Sequence, residues 1–226
     1  MAAKNNTPQE ENSIDALNNT LTSAGDKIIK NRKPLLWAVG GVVVLALLVL
    51  GYIFFIQKPN AAKSSDAFNN VEVQAMGNDS IATAGYRSVA DKYEGTDGGN
   101  LAALSAGEAL YDEQKYEEAA KYLLKFKTSD DMMMANVECL IGDCYVGLKK
   151  YDAALNYFDK SIRTAAGNPQ IVPRVLDKKA RIYDEQKKYD LALKCYEEIE
   201  KDYPVYQNGN YPAKAYIARE KARLGK

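Results

Sequence analysis
The chain has 226 residues, enough for one domain of ordinary size plus appendages. Its 30 lysines and arginines balance 30 aspartates and glutamates, so there is no global basic field to draw in nucleic acid. It has no histidine, which removes imidazole as a general base or metal ligand, and with it the Ser/His and Cys/His dyads.

Residues 1–33 open with a polar tail, and then Ile14, Leu17, Leu21, Ala24 and Ile28 recur at helical spacing. The stripe predicts a short amphipathic helix, either lying on a membrane surface or serving as a docking helix for a partner. Leu35–Ile56 follows, LLWAVGGVVVLALLVLGYIFFI, a run without a charge. At about 1.5 Å rise per residue it is long enough to cross a hydrocarbon core of about 30 Å. Trp37 and Tyr52 stand near its two ends, where amphipathic rings favour the interface. The run exceeds a signal-peptide core, lacks an A-x-A-like cleavage site and has no cysteine just after it, so 34–57 is expected to be an uncleaved single span. Lys27, Lys30, Arg32 and Lys33 precede it, against Lys58 and Lys63 after it. That bias predicts a cytoplasmic N-terminus and export of everything beyond.

Residues 58–99 are expected to form a linker and a degenerate helix pair, with helices over 64–76 and 80–93 capping the stack that follows. Asp79-Ser80-Ile81 resembles a bacterial O-glycosylation sequon, although Asp79 or Ser80 capping the next helix accounts for it as well. Glu94–Asn100, EGTDGGN, lacks a preceding strand and a lysine, so it is expected to be a glycine-rich loop and not a phosphate cradle.

The next hundred residues repeat one pattern. Gly107, Leu110, Ala119, Leu123 and Phe126 in 100–131 correspond to Gly142, Tyr145, Ala154, Phe158 and Ser161 in 135–168, and to Ala180, Tyr183, Ala192, Tyr196 and Ile199 in 173–206, where Pro204 closes the repeat. Tyr116 and Tyr151 are 35 residues apart, Tyr151 and Tyr189 are 38 apart, and YDEQKYEEA nearly recurs as YDEQKKYDLA. Small residues at helical spacing let helix backbones approach, with aromatics filling the space beside them. After a turn-rich stretch, 207–226 is expected to close the stack with one amphipathic helix over Pro212–Leu224. Cys139, Cys144 and Cys195 show no zinc or C-x-x-C spacing and are expected to be small core residues.

The repeated segments resemble the tetratricopeptide repeat, a helix–turn–helix unit of about 34 residues. The resemblance implies an all-α chain in which the transmembrane helix expected from the apolar run is followed by a right-handed α-solenoid of three repeats. It also implies a protein-binding groove on the first helix of each pair. The facing positions are Leu101, Leu104, Glu108 and Tyr111, then Asn136, Cys139, Asp143 and Val146, then Arg174, Asp177, Arg181 and Asp184. Such a groove runs from apolar near the membrane to mixed charge at the far end, and Glu108, Asp143 and Asp177 are expected to repel a carboxylate ligand.

No catalytic, cofactor-binding or metal site is expected: the carboxylates fall in polar turns or on exposed faces, and no G-x-S-x-G or Walker loop occurs. The full layout is similar to the YfgM-type family of ancillary translocon subunits. That resemblance implies a single-pass bacterial inner-membrane protein with a periplasmic repeat domain. Its expected partners are proteins or peptides (the Sec translocon, envelope chaperones or exported chains), with no nucleic acid and no small-molecule substrate. Two alternatives remain open: a structural subunit of a larger envelope assembly for outer-membrane biogenesis, secretion or gliding, and an organelle import receptor.

Overall fold
The computed structural model describes residues 22, 32–53, 58–74, 79–208 and 211–225. The expected amphipathic helix over 14–28 lies outside them, apart from Thr22. The chain divides into two compact units, 1–59 and 60–226.

The described part of the first unit is one helix, α1 (Arg32–Tyr52), 21 residues long and apolar on every side. Leu36, Trp37, Leu45 and Leu48 are all more than half exposed. Among the described residues no helix is long and apolar enough to cross a membrane. The expected span, 35–56, is described only as far as residue 53.

The second unit is a row of antiparallel helix pairs. These are α2 (Lys58–Gln74) with α3 (Asp79–Lys92), α4 (Asp97–Asp112) with α5 (Tyr116–Leu123), α6 (Asp131–Gly147) with α7 (Tyr151–Thr164), and α8 (Val172–Glu185) with α9 (Tyr189–Asp202). A two-residue hairpin, β1 (Gln207–Asn208) with β2 (Tyr211–Pro212), leads into α10 (Ala213–Arg223).

Local chemistry starts and stops these helices. Thr96 Oγ1 accepts from Gly99 N at the head of α4, and Asp130 Oδ1 accepts from Met133 N at the head of α6. Pro173 enters α8 in its first turn, where its missing N–H costs nothing. At the turn inside each of the three pairs α4–α5, α6–α7 and α8–α9, the chain repeats one device. Gln114, Lys149 and Lys187 take φ of 62°, 56° and 59°. The following N–H, of Lys115, Lys150 or Lys188, donates back to the carbonyl of Leu110, Tyr145 or Tyr183 at 2.8–2.9 Å. This is the left-handed helix ending that glycine usually supplies, built here from side-chain-bearing residues.

The glycine-rich loop expected at 94–100 is in part helix. Gly98 and Gly99 sit buried in the first turn of α4, and a Cβ on either would collide with the backbone of Ser64 or Tyr93. They serve close approach, not a turn. The helix expected over 64–76 runs instead from Lys58 to Gln74.

Two apolar clusters hold the row together. One gathers Val89, Ala102, Ala106, Leu110, Leu123 and Phe126 with Val137, Ile141 and Cys144 of α6. The other gathers Ala135 and Cys139 of α6 with Phe158, Val175, Leu176, Tyr196 and Ile199. Full burial of a side chain such as Leu110 or Phe158 contributes about 1.5–3 kcal/mol against leaving it in water. Tyr196 stacks on Tyr216 of α10 at 5.0 Å between ring centroids.

Charge fixes α10 as well. Glu220, fully buried, accepts from Arg219 Nε at 2.6 Å, and both Arg219 and Arg223 reach back to Asp184 of α8.

Candidate functional site
The first helices of the pairs, α4, α6 and α8, carry the twelve expected groove positions. Leu101, Glu108, Asn136, Arg174 and Arg181 are exposed, and Leu104, Tyr111, Asp143, Val146 and Asp184 are half-buried. Two positions depart from the expectation. Cys139 is 3% exposed and belongs to the apolar cluster beneath α6, so its thiol is core and not groove lining. Asp177 is 5% exposed and accepts from Arg181 Nε at 2.9 Å, so its charge is met within the fold and is not presented to solvent.

Of the expected packing positions, Gly107, Ala119, Gly142, Ala154, Phe158, Ala180, Ala192 and Tyr196 are buried, and Tyr145 and Tyr183 are half-buried. Pro204 is exposed, one residue after Tyr203, whose ring packs on the core in its place. Pro204 ends the repeat by its backbone, since it cannot continue a helix.

Two clefts along these helices involve the expected groove positions. The first, of about 600 Å³, lies among α2, α3 and α4 and is lined by Glu72, Asp79, Glu108, Asp112 and Glu113 with Tyr86 and Thr83. Although Glu108 reaches solvent, partial desolvation against the cleft wall, reinforced by Asp112, raises its carboxyl above the ordinary value. Thr83 Oγ1 donates to Glu113 at 2.7 Å, and the Tyr86 hydroxyl donates to Glu72 at 2.5 Å. The apolar end expected near the membrane is therefore acidic. Leu104 turns partly into the core, while the neighbouring degenerate pair supplies carboxylates that no repeat spacing announced.

The second cleft, of about 470 Å³, lies between α6 and α8. Val146, Phe158 and Ile182 line its apolar part, Tyr206 of the chain beyond α9 closes one side, and Arg174, Lys178 and Arg181 bring cations to it. Lys178 Nζ donates to both oxygens of Asp143, at 2.9 and 3.0 Å. Desolvation still raises Asp143, with Lys178 opposing it. Glu108 stands among other carboxylates, whereas here Asp143 and Asp177 each face a cation. Lys178 stands one turn beyond Arg174 on the same face of α8, a spacing the sequence displays. Tyr206 had no such signal, because it arrives from outside the repeats.

A row of antiparallel helix pairs with open, side-chain-lined clefts along the first helices defines the tetratricopeptide class of helical-repeat scaffolds. The chain belongs to the tetratricopeptide repeat-like domain family, whose model matches residues 30–198. No curated protein sequence matches it. Among solved structures, a crystal structure of MamA protein is similar over 74% of this chain and 83% of that one, with a TM-score of 0.55 and 18% identity. BtubC (BKLC) from P. vanneervenii is similar over 75% and 85%, with a TM-score of 0.52 and 12% identity. The APC/C hetero-tetramer Cut9-Hcn1 is similar over 68% of this chain and 29% of that one, with a TM-score of 0.50 and 18% identity. At these identities the likeness is one of fold.

Proposed function
We propose that the chain is a membrane-tethered adaptor whose repeat unit binds protein partners along α4, α6 and α8. In this reading α1 and the residues after it form a single-pass anchor in a bacterial inner membrane, the N-terminus is cytoplasmic and the repeats stand on the exported side. There the protein assists Sec-dependent export or folding, as a YfgM-type ancillary subunit does. The observation that carries the binding role is the α6–α8 cleft, open to solvent and combining an apolar floor with exposed guanidinium groups. Such a surface offers one anchor and a few orienting charges, which is how peptide grooves recognise a segment. The tether is supported by α1, whose apolar side chains face outward on all sides, a pattern suited to lipid. Orientation is supported by the basic flank ahead of it. Tethering raises the local concentration of the groove at an exit site without any new contact.

A photo-crosslinking residue placed in cells at Leu104 or Val146 tests the binding role, with exposed Lys194 and Glu197 of α9 as controls. Discrete protein adducts from the first two positions are expected, with translocon components or envelope chaperones among them. Adducts confined to α9 would remove the groove, and a stoichiometric envelope complex in their place would favour the structural-subunit alternative. Protease added to spheroplasts should digest the repeats, and protection there would reverse the orientation.

A further inference from the structure
We propose that the α6–α8 cleft receives an extended acidic segment of the partner, in which an apolar side chain stands between two carboxylates about three residues apart. The proposal rests on the reading of this face as a protein-binding groove and names what the groove selects.

Charge complementarity points to the ligand. Of the carboxylates lining the cleft, Asp143 is paired with Lys178 and Asp177 with Arg181 Nε, while the exposed Glu185 accepts from the Tyr151 hydroxyl at 2.7 Å. Arg174 is different. Its Nη2 donates to the side-chain amide oxygen of Asn136, a neutral group, and among the described residues it forms no ion pair. Arg181 is 61% exposed and spends only Nε on Asp177, which leaves the terminal nitrogens of its fork for a second acceptor. The lining balances three cations against three carboxylates, and the donors it leaves without a charged acceptor are those of Arg174 and the outer nitrogens of Arg181.

Their spacing sets the ligand's. Arg174 and Arg181 are two turns apart on one face of α8, about 10.5 Å along the axis at 1.5 Å per residue. In a polyproline-II strand, residues three apart lie on the same side, separated by about 9.3 Å. The half-buried Val146 and Tyr206, over the buried Phe158 and Ile182, lie along the cleft these arginines flank, where a side chain between the two carboxylates would find its anchor. A helical ligand about 10–12 Å across would fill a cleft of this volume with roughly a single turn, so reaching both arginines from within it requires extended chain.

The test uses the full chain in detergent micelles and a fluorescent, proline-flanked peptide, acetylated and amidated so that no terminal carboxylate contributes. It carries two glutamates three residues apart with a leucine between them. Saturable binding that weakens with added salt is expected. Replacing both glutamates by glutamine, or the leucine by serine, should weaken it about tenfold or more. Arg174→Gln breaks no ion pair, so the fold should persist in a thermal melt while peptide affinity falls by a similar factor. Arg163→Gln, on exposed α7, should change nothing. Equal binding of the glutamine peptide, or an Arg174→Gln variant of unchanged affinity, overturns the proposal. Cellular crosslinks from Leu104 and Val146 that persist alongside such a result would leave the groove intact and discard only its preference for acid. Loss of both would discard the groove as well.

Discussion

Gly142 of α6 lies against the ring of Phe158 on α7 so closely that a Cβ on the glycine would stand 2.5 Å from Phe158 Cε1. The ring is fully buried and has nowhere to swing. Gly107 and Leu123 repeat the relationship one pair earlier, with Leu123 Cγ at the same 2.5 Å. Gly142→Ala gains about 1 kcal/mol of helix propensity but forces the pair apart, at a cost of about 1–3 kcal/mol for overpacking. A net loss of about 1–2 kcal/mol is expected by urea denaturation. Phe158→Leu in the same chain should recover part of it, and strict additivity of the two substitutions would refute the contact.

The three left-handed turn residues give a prediction of opposite sign. Gln114, Lys149 and Lys187 pay a steric cost at positive φ that glycine does not. Each change to glycine should stabilise the fold by about 0.5–1 kcal/mol, net of the extra freedom glycine gains when unfolded. The three sites sit in separate turns, so their effects on the melting temperature should add. A triple variant that melts no higher than the parent would argue against the shared geometry.

The repeats were legible because their packing rests on residue size, and size can be read from letters. Gly107 and Gly142, and the tyrosines that open α5, α7 and α9, stand where their spacing put them. The heads of the helices were harder. EGTDGGN reads as a loop by composition, yet Gly98 is small because the Ser64 backbone presses on it, a long-range fact. The groove was the least legible part. Whether Asp143 repels or accepts a ligand's charge depends on Lys178 across the cleft, and that pairing belongs to the fold.

Asp91 supplies a pH dependence. It accepts from Lys125 Nζ and from the Tyr122 hydroxyl, both at 2.8 Å, and these donors hold its carboxyl below the ordinary value of 3.8, Lys125 foremost. A depressed carboxylate stabilises the fold fully above its unfolded pKa and loses that contribution as pH falls through the folded one. Lys125 is raised by the same pair, so its share is present below 10.5 and fades above it. Asp91 is exposed, and the pair is worth less than about 1 kcal/mol at neutral pH. Asp91→Asn should cost that amount at pH 7 and nothing at pH well below 3.8, seen as converging denaturation midpoints. Midpoints that stay parallel across that range would show the pair to be inert.

The thiols should be silent until the fold opens. Burial pushes Cys139 and Cys195 up to about 11 and Cys144 up to about 12, and all three are enclosed. A disulfide reagent at pH 8 should label none of them in native buffer and all three in denaturant. Rapid native labelling of Cys144 would mean that the α4–α6 cluster breathes.

Helix α6 gives Val137, Ile141 and Cys144 to one apolar cluster and Ala135 and Cys139 to the other. It is thus a party wall between two rooms. Fraying that starts at α10 has to cross Phe158 before it is felt at α4, and damage near α2 has to cross Leu110 and Leu123 before it reaches α8. A disturbance confined to one cluster therefore meets α6 before it reaches the other.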